Sequence, residues 1–143
     1  MGAPEGHAHS VLVVENFDGL REALDADLTA TGFEVVAARS GREALDILGE
    51  GFRPCVVLLD LWMPEIDGWG VWQRMQAHRE WSRTPVVLLS AQAVDPQRVR
   101  DAGIREFLSK PVEHELMVAT IERHCERRSR LGTAETPGVH LRA

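Results

Sequence analysis

Long apolar stretches are missing from this sequence. Its apolar runs, such as Val56 to Leu59 and Val86 to Leu89, fall far short of the roughly 20 residues a membrane-spanning helix needs. The opening residues also lack the apolar segment of a secretory signal. A cytoplasmic protein with no membrane partner is therefore expected. Cysteine is scarce. Cys55 and Cys125 show no CxxC and no Cys/His ligand spacing, so both read as small packed hydrophobes. Positive charge is not in excess either: a net charge of -6 argues against the basic surface of a general nucleic-acid binder, and no direct nucleic-acid binding is expected. No internal repeat is visible. No glycine-rich loop follows the first apolar run, and Gly68-Trp69-Gly70 lies past a proline turn at the wrong spacing for a phosphate cradle, which argues against a nucleotide-holding enzyme. What is present is ordinary for a globular domain: 143 residues, 44% hydrophobic and 27% charged, enough for one core that needs no staples.

The most informative stretch is Val56 to Gly68, written VVLLDLWMPEIDG. A valine-rich apolar run ended by a turn signal suits a strand buried on both faces of a parallel sheet. Asp60 then stands at its carboxyl end, the edge where open α/β sheets bind ligands. Other segments fall into place around it. Val11 to Val14 reads as a first strand, followed by Glu15-Asn16-Phe17 and a helix capped by Asp18, with Leu20, Leu24, Leu28 and Thr31 as its stripe and Gly32 as its stop. Phe33 to Ala37 forms a second strand, and Ser40 with Glu43 gives a capping box for a second helix. Asp67 caps a third helix running to about His78, with Val71, Trp72 and Met75 on one face. Val86 to Leu89 is a fourth strand ending at Ser90-Ala91, and Asp95-Pro96 opens a fourth helix that stops at Gly103. Ile104 to Leu108 is a short fifth strand. Ser109-Lys110-Pro111 leads into a last helix that includes Leu116, Met117, Ile121 and Cys125.

Five strands alternating with five helices predict an α/β fold, a five-stranded parallel sheet doubly wound by helices, with each strand buried on both faces. Residues 1–9 read as a flexible lead, 10–128 as the domain and 129–143 as a flexible tail. In such a sheet the strand ends share one edge. Glu15 and Asn16 after strand one, Asp60 closing strand three, Ser90 closing strand four and Lys110 after strand five would then converge on one shallow cleft. Crowded carboxylates repel, and a hard divalent cation is the usual remedy; Mg²⁺ takes one or two carboxylates with waters and phosphate oxygens. A carboxylate beside a cation, a hydroxyl and an ammonium also matches the parts of a phosphoryl-transfer site.

The motifs VLVVEN, VVLLDLWMPEIDG, VVLLSA and FLSKP, in this order, make the chain resemble a response regulator receiver domain of two-component or phosphorelay signalling, from about Ser10 to Arg127. The resemblance implies a flavodoxin-like (βα)5 receiver fold and a signalling role in place of an enzyme's. It implies that Asp60 accepts a phosphoryl group from a histidine kinase or phosphotransfer protein, that Ser90 hydrogen-bonds the phosphoryl group and that Lys110 pairs with it. It also implies a metal set of Glu15, Asn16, Asp60 and the backbone carbonyl of Trp62, an aromatic switch at Phe107 acting with Ser90, and a cis peptide between Lys110 and Pro111. The output would run through the face of the fourth helix, fifth strand and fifth helix, which is also the candidate surface for a homodimer. The downstream target is not identified by the sequence.

One position departs from the family pattern. Two acids are usual after strand one, and here the two positions hold Glu15 and the neutral amide Asn16. Removing one charge about 4 Å from a cation costs at most on the order of 4 kcal/mol per unit of cation charge at an effective dielectric of 20, so weaker Mg²⁺ binding and slower phosphorylation are expected. The alternative is a pseudo-receiver serving as a constitutive binding or dimerisation module. Asp60, Ser90 and Lys110 favour the first reading, and Asn16 the second. Trp62, in the loop after Asp60, is expected to be exposed and to shield one side of the site from attacking water.

Overall fold

The computed structural model describes residues 9–133; most of the expected lead and the tail beyond residue 133 lie outside the described residues. β1 (Ser10–Val14), β3 (Val56–Asp60) and β4 (Val86–Ser90) are buried at every position. They alternate with α1 (Asp18–Thr31), β2 (Glu34–Ala38), α2 (Gly41–Gly49), α3 (Gly68–Gln76), a 3-10 turn (Trp81–Arg83), α4 (Pro96–Ala102), β5 (Glu106–Ser109) and α5 (His114–Thr133). The five strands are all parallel, in the order β2-β1-β3-β4-β5. The expected doubly wound sheet is therefore the observed one.

Period-two alternation sends successive strand residues to opposite faces. Val11, Val13, Leu58, Val87 and Leu89 pack with Leu28 of α1 and with Met117 and Ile121 of α5. On the other face Leu12, Val14, Leu59 and Leu88 meet Leu48 of α2, Met75 of α3 and Val99 of α4. Each such side chain, fully removed from water, contributes roughly 1.5–3 kcal/mol, and the interior positions of the three central strands are accordingly all apolar. Burial on both faces does not extend to every strand, as the sequence pattern had suggested: β2 and β5 sit at the sheet edges and are mostly half-exposed.

The helix ends follow local chemistry, with one correction. Ser40 Oγ accepts from Glu43 N–H at 3.0 Å, Asp67 Oδ1 from Gly70 N–H at 2.9 Å, and Asp95 Oδ1 from Gln97 N–H at 3.0 Å. Gly32 and Gly103 close α1 and α4 at φ 113° and 84°, left-handed values that suit glycine. Asp18 does not cap α1. It lies inside the first turn and pairs with Arg21 at 2.7 Å, while the capping position falls on Phe17. The carboxylate of Glu15 accepts the Phe17 N–H instead. Thr31 is exposed and leaves the apolar stripe of α1; its hydroxyl bonds the Asp27 carbonyl. At the far end α5 runs as helix through Thr133.

Candidate functional site

The parallel sheet places the ends of β1, β3, β4 and β5 on one edge. The register pairs Val14 with Leu59, Asp60 with Leu89, and Ser90 with Ser109, so Glu15, Asp60, Ser90 and Lys110 all emerge at the same level. Lys110 is the chain's single lysine. Its Nζ lies 2.7 Å from Glu15 Oε1 and 3.1 Å from Asp60 Oδ1. Glu15 and Asp60 are only 2% and 4% exposed. Two buried carboxylates thus share one ammonium, an excess of one negative charge.

The charges act on one another as burial predicts. Asp60 is held above its ordinary carboxylate range, first because burial penalises its anion and second because Glu15 stands beside it; Lys110 and the Trp62 peptide N–H partly offset this. Burial pulls Lys110 down, but its hydrogen bonds to Glu15 and Asp60 prevail and raise it above an ordinary lysine. The ammonium is therefore secured as a cation. Glu15 is fixed from several sides: Oε2 accepts the Phe17 N–H at 3.1 Å, and its carbonyl accepts from Arg21 Nη1 at 3.0 Å.

Loop geometry brings the remaining groups close. After β3 the chain doubles back so tightly that Gly68 N–H donates to the Leu61 carbonyl at 2.9 Å. A Cβ on Gly68 would lie 2.8 Å from both the Asp60 carbonyl oxygen and Leu61 Cα, so only glycine fits. Lys110 is tied to β4 by its own N–H, which donates to the Ser90 carbonyl at 2.8 Å, and the Lys110-Pro111 peptide is cis as expected. Ser90 is 1% exposed. Its hydroxyl donates to the Gln92 carbonyl at 2.9 Å and accepts from Gln92 N–H at 3.0 Å and from Trp62 Nε1–H at 3.2 Å.

Of the sequence-predicted residues, Glu15, Asp60 and Lys110 form one bonded cluster, with Asn16 half-buried beside Glu15. Trp62 is 47% exposed and joined to Ser90. Phe107 is half-buried on β5, opposite Leu88, and packs against the core shared with α4. Gln92, Arg21 and the Phe17 N–H were not singled out by the sequence reading. A serine two residues before a potential turn donor is a signal that could have pointed to Gln92; the other two depend on how the loop after β1 folds back. The two carboxylates joined here, with the half-buried Asn16 next to Glu15 in the chain, offer hard oxygen donors beside uncompensated negative charge. That donor set fits Mg²⁺. Among the described residues no group of three or more His, Cys, Asp or Glu could hold a metal, in keeping with a site that has only two carboxylates. No helix of the described residues is long and apolar enough to cross a membrane.

Comparison with known proteins points one way. The family model described as the response regulator receiver domain matches residues 11–122. The chain is 34% identical over 126 residues to the transcriptional regulatory protein AfsQ1 of Streptomyces coelicolor, covering 87% of this chain but 54% of that protein. It is 34% identical over 116 residues to the polar-differentiation response regulator DivK of Brucella ovis, covering 79% and 93% respectively. The solved signal receiver domain of a signal transduction histidine kinase from Syntrophus aciditrophicus superposes with a TM-score of 0.74 at 29% identity, over 83% of this chain and 91% of that one. The chain therefore spans about half of AfsQ1 and nearly all of DivK.

Proposed function

From the premise that this chain belongs to the response regulator receiver family of two-component signalling, we propose that residues 10–128 form a phospho-accepting receiver domain in which Asp60 takes a phosphoryl group from a histidine kinase or phosphotransfer protein. One observation carries the reading: Lys110 Nζ sits within 3.1 Å of a buried Asp60 at the sheet edge. In the transfer, an Asp60 carboxylate oxygen forms a bond to phosphorus while the bond from phosphorus to the donor's imidazole nitrogen breaks. Lys110 stays protonated throughout and faces the phosphoryl oxygens once they arrive. A bound Mg²⁺ would supply charge neutralisation for the same oxygens, held by Glu15, Asp60, the Asn16 side chain and the Trp62 carbonyl. With an amide in place of a second acid, its binding is weakened.

Ser90 is the group that would turn toward the phosphoryl oxygens, and Phe107 the ring that would follow it inward, changing the face of α4, β5 and α5. That face would meet a downstream protein or a second copy of the domain. On the donor side, an apolar groove of about 360 Å³ beside Lys110, lined by Leu20, Leu24, Pro111, Val112 and Met117, offers a phosphodonor protein a place to rest. The domain acts as a signalling module in the cytoplasm, not as a stand-alone enzyme.

The competing reading, a pseudo-receiver used as a constitutive binding module, is favoured by Asn16 alone. Incubation with Mg²⁺ and acetyl phosphate separates the two. A mass gain of one phosphoryl group that disappears in Asp60→Asn supports the phospho-acceptor; no gain at any Mg²⁺ concentration refutes it.

A further inference from the structure

Trp62 touches both the acceptor and the hydroxyl that would recognise the product. Its peptide N–H lies against the Asp60 carboxylate, and its indole Nε1–H donates to Ser90 Oγ at 3.2 Å. A hydroxyl has one hydrogen and two acceptor lone pairs. On Ser90 all three are taken: the hydrogen by the Gln92 carbonyl, the lone pairs by the Gln92 N–H and the indole. A phosphoryl oxygen can only accept, so it needs the Ser90 hydrogen that the Gln92 carbonyl holds, and turning Oγ toward Asp60 to deliver that hydrogen breaks the indole bond as well. The backbone around Trp62 is fixed, because its neighbours Leu61 and Met63 are 1% and 8% exposed. The indole is half in solvent, so it is the partner that can swing away.

We propose that the Trp62 indole is a latch that holds Ser90 in its resting position and has to release it before Ser90 can turn to a phosphoryl group on Asp60. Trp62 is thus a positioning residue that sets how readily the phosphorylated state forms. This rests on the phospho-acceptor reading above and adds a regulator to the same site. It differs from simple shielding of the cleft by a ring, because a shield acts whatever residue 90 is and a latch acts only through the Ser90 hydroxyl. One net hydrogen bond corresponds to about a two- to tenfold bias between the resting and turned states.

The test is a double-mutant cycle with Trp62→Phe, which keeps an aromatic cover but deletes the N–H, and Ser90→Ala. Initial rates of labelling by acetyl phosphate at saturating Mg²⁺ are followed by intact mass. Trp62→Phe should label about two- to tenfold faster than the parent when Ser90 is present, and the ratio should return to about one in the Ser90→Ala background. An equal ratio in both backgrounds, or no acceleration, overturns the latch. A second measurement needs no phosphodonor: the indole N–H proton resonance of Trp62, assigned by its loss in Trp62→Phe, should move in Ser90→Ala. A resonance that stays in place overturns the latch by itself. A resonance that moves in a protein that never labels overturns instead the phospho-acceptor reading, and the regulatory role of the latch with it.

Discussion

Replacing the acceptor by its amide, Asp60→Asn, should make the domain more stable at neutral pH although it removes an ion pair. The Glu15 and Asp60 oxygens sit 2.7 Å and 3.1 Å from the shared Lys110 Nζ, so they are within about 6 Å of each other and repel by about 3 kcal/mol at an effective dielectric of 20. The attraction of Asp60 to Lys110 at 3.1 Å is about 5 kcal/mol on the same scale. Taken alone, those two figures would favour keeping the charge. Desolvation of a carboxylate 4% exposed adds a penalty of several kcal/mol, and the raised Asp60 titration gives the direction of the balance: the anion is disfavoured in the folded state. Asparagine avoids the desolvation and the repulsion, and Lys110 keeps Glu15. A gain of about 1–3 kcal/mol follows.

The sign with pH is fixed by the same shift. A carboxyl whose folded pKa lies above its unfolded value contributes stability below the ordinary value of 3.8, and that contribution is lost as pH rises through the folded pKa. The gap between Asp60→Asn and the parent protein should therefore be full at pH 7 and narrow toward acid, where Asp60 is protonated in both states. Urea unfolding of the two proteins at pH 7 and near pH 4 reads this directly. An Asp60→Asn protein less stable than the parent at pH 7, or a gap that fails to narrow on acidification, refutes the charge balance drawn for the site.

In the metal-free protein the Asp60 carboxyl, followed by the NMR resonance of its side-chain carbon, should titrate with a midpoint above the ordinary 3.8; a midpoint at or below that value contradicts a disfavoured anion. Asn16→Asp should tighten Mg²⁺ binding, measured by calorimetry, by roughly tenfold, inside the ceiling of about 4 kcal/mol per unit of cation charge that one nearby charge sets. An unchanged affinity would remove Asn16 from the metal set. Gly68→Ala forces a Cβ to 2.8 Å from backbone atoms of Asp60 and Leu61 and should cost about 1–3 kcal/mol in urea unfolding. Gly19→Ala, on an open stretch of α1, should instead stabilise by about 0.5–1 kcal/mol. Equal effects at the two glycines would discredit the tight return after β3.

Much of this was legible in the linear chain because it depends on short-range rules. Apolar runs of strand length, the caps at Ser40, Asp67 and Asp95, and the stops at Gly32 and Gly103 are local choices, and alternating strands with helices leaves few topologies. From there Glu15, Asp60, Ser90 and Lys110 must share an edge, and the structure joins three of them through one ammonium and ties Lys110 to Ser90 through the backbone. Asp18 was misread as a cap because its type suits the role, whereas the position of the helix start was settled by Glu15 reaching the Phe17 N–H. Which strands are edges, and so half-exposed, follows from the order β2-β1-β3-β4-β5, which no single segment encodes.

The engagement of Ser90 by Trp62 could not be read along the chain either: the two residues are 28 positions apart, one at the end of β4 and the other in the loop after β3. By itself the sequence determined the elements, their alternation and the set of groups at the sheet edge, since propensity, capping and hydrophobic period act within a few residues. Only the tertiary structure decided who holds whom at that edge, because hydrogen bonds and buried charges depend on distances that the packing of both helical layers sets.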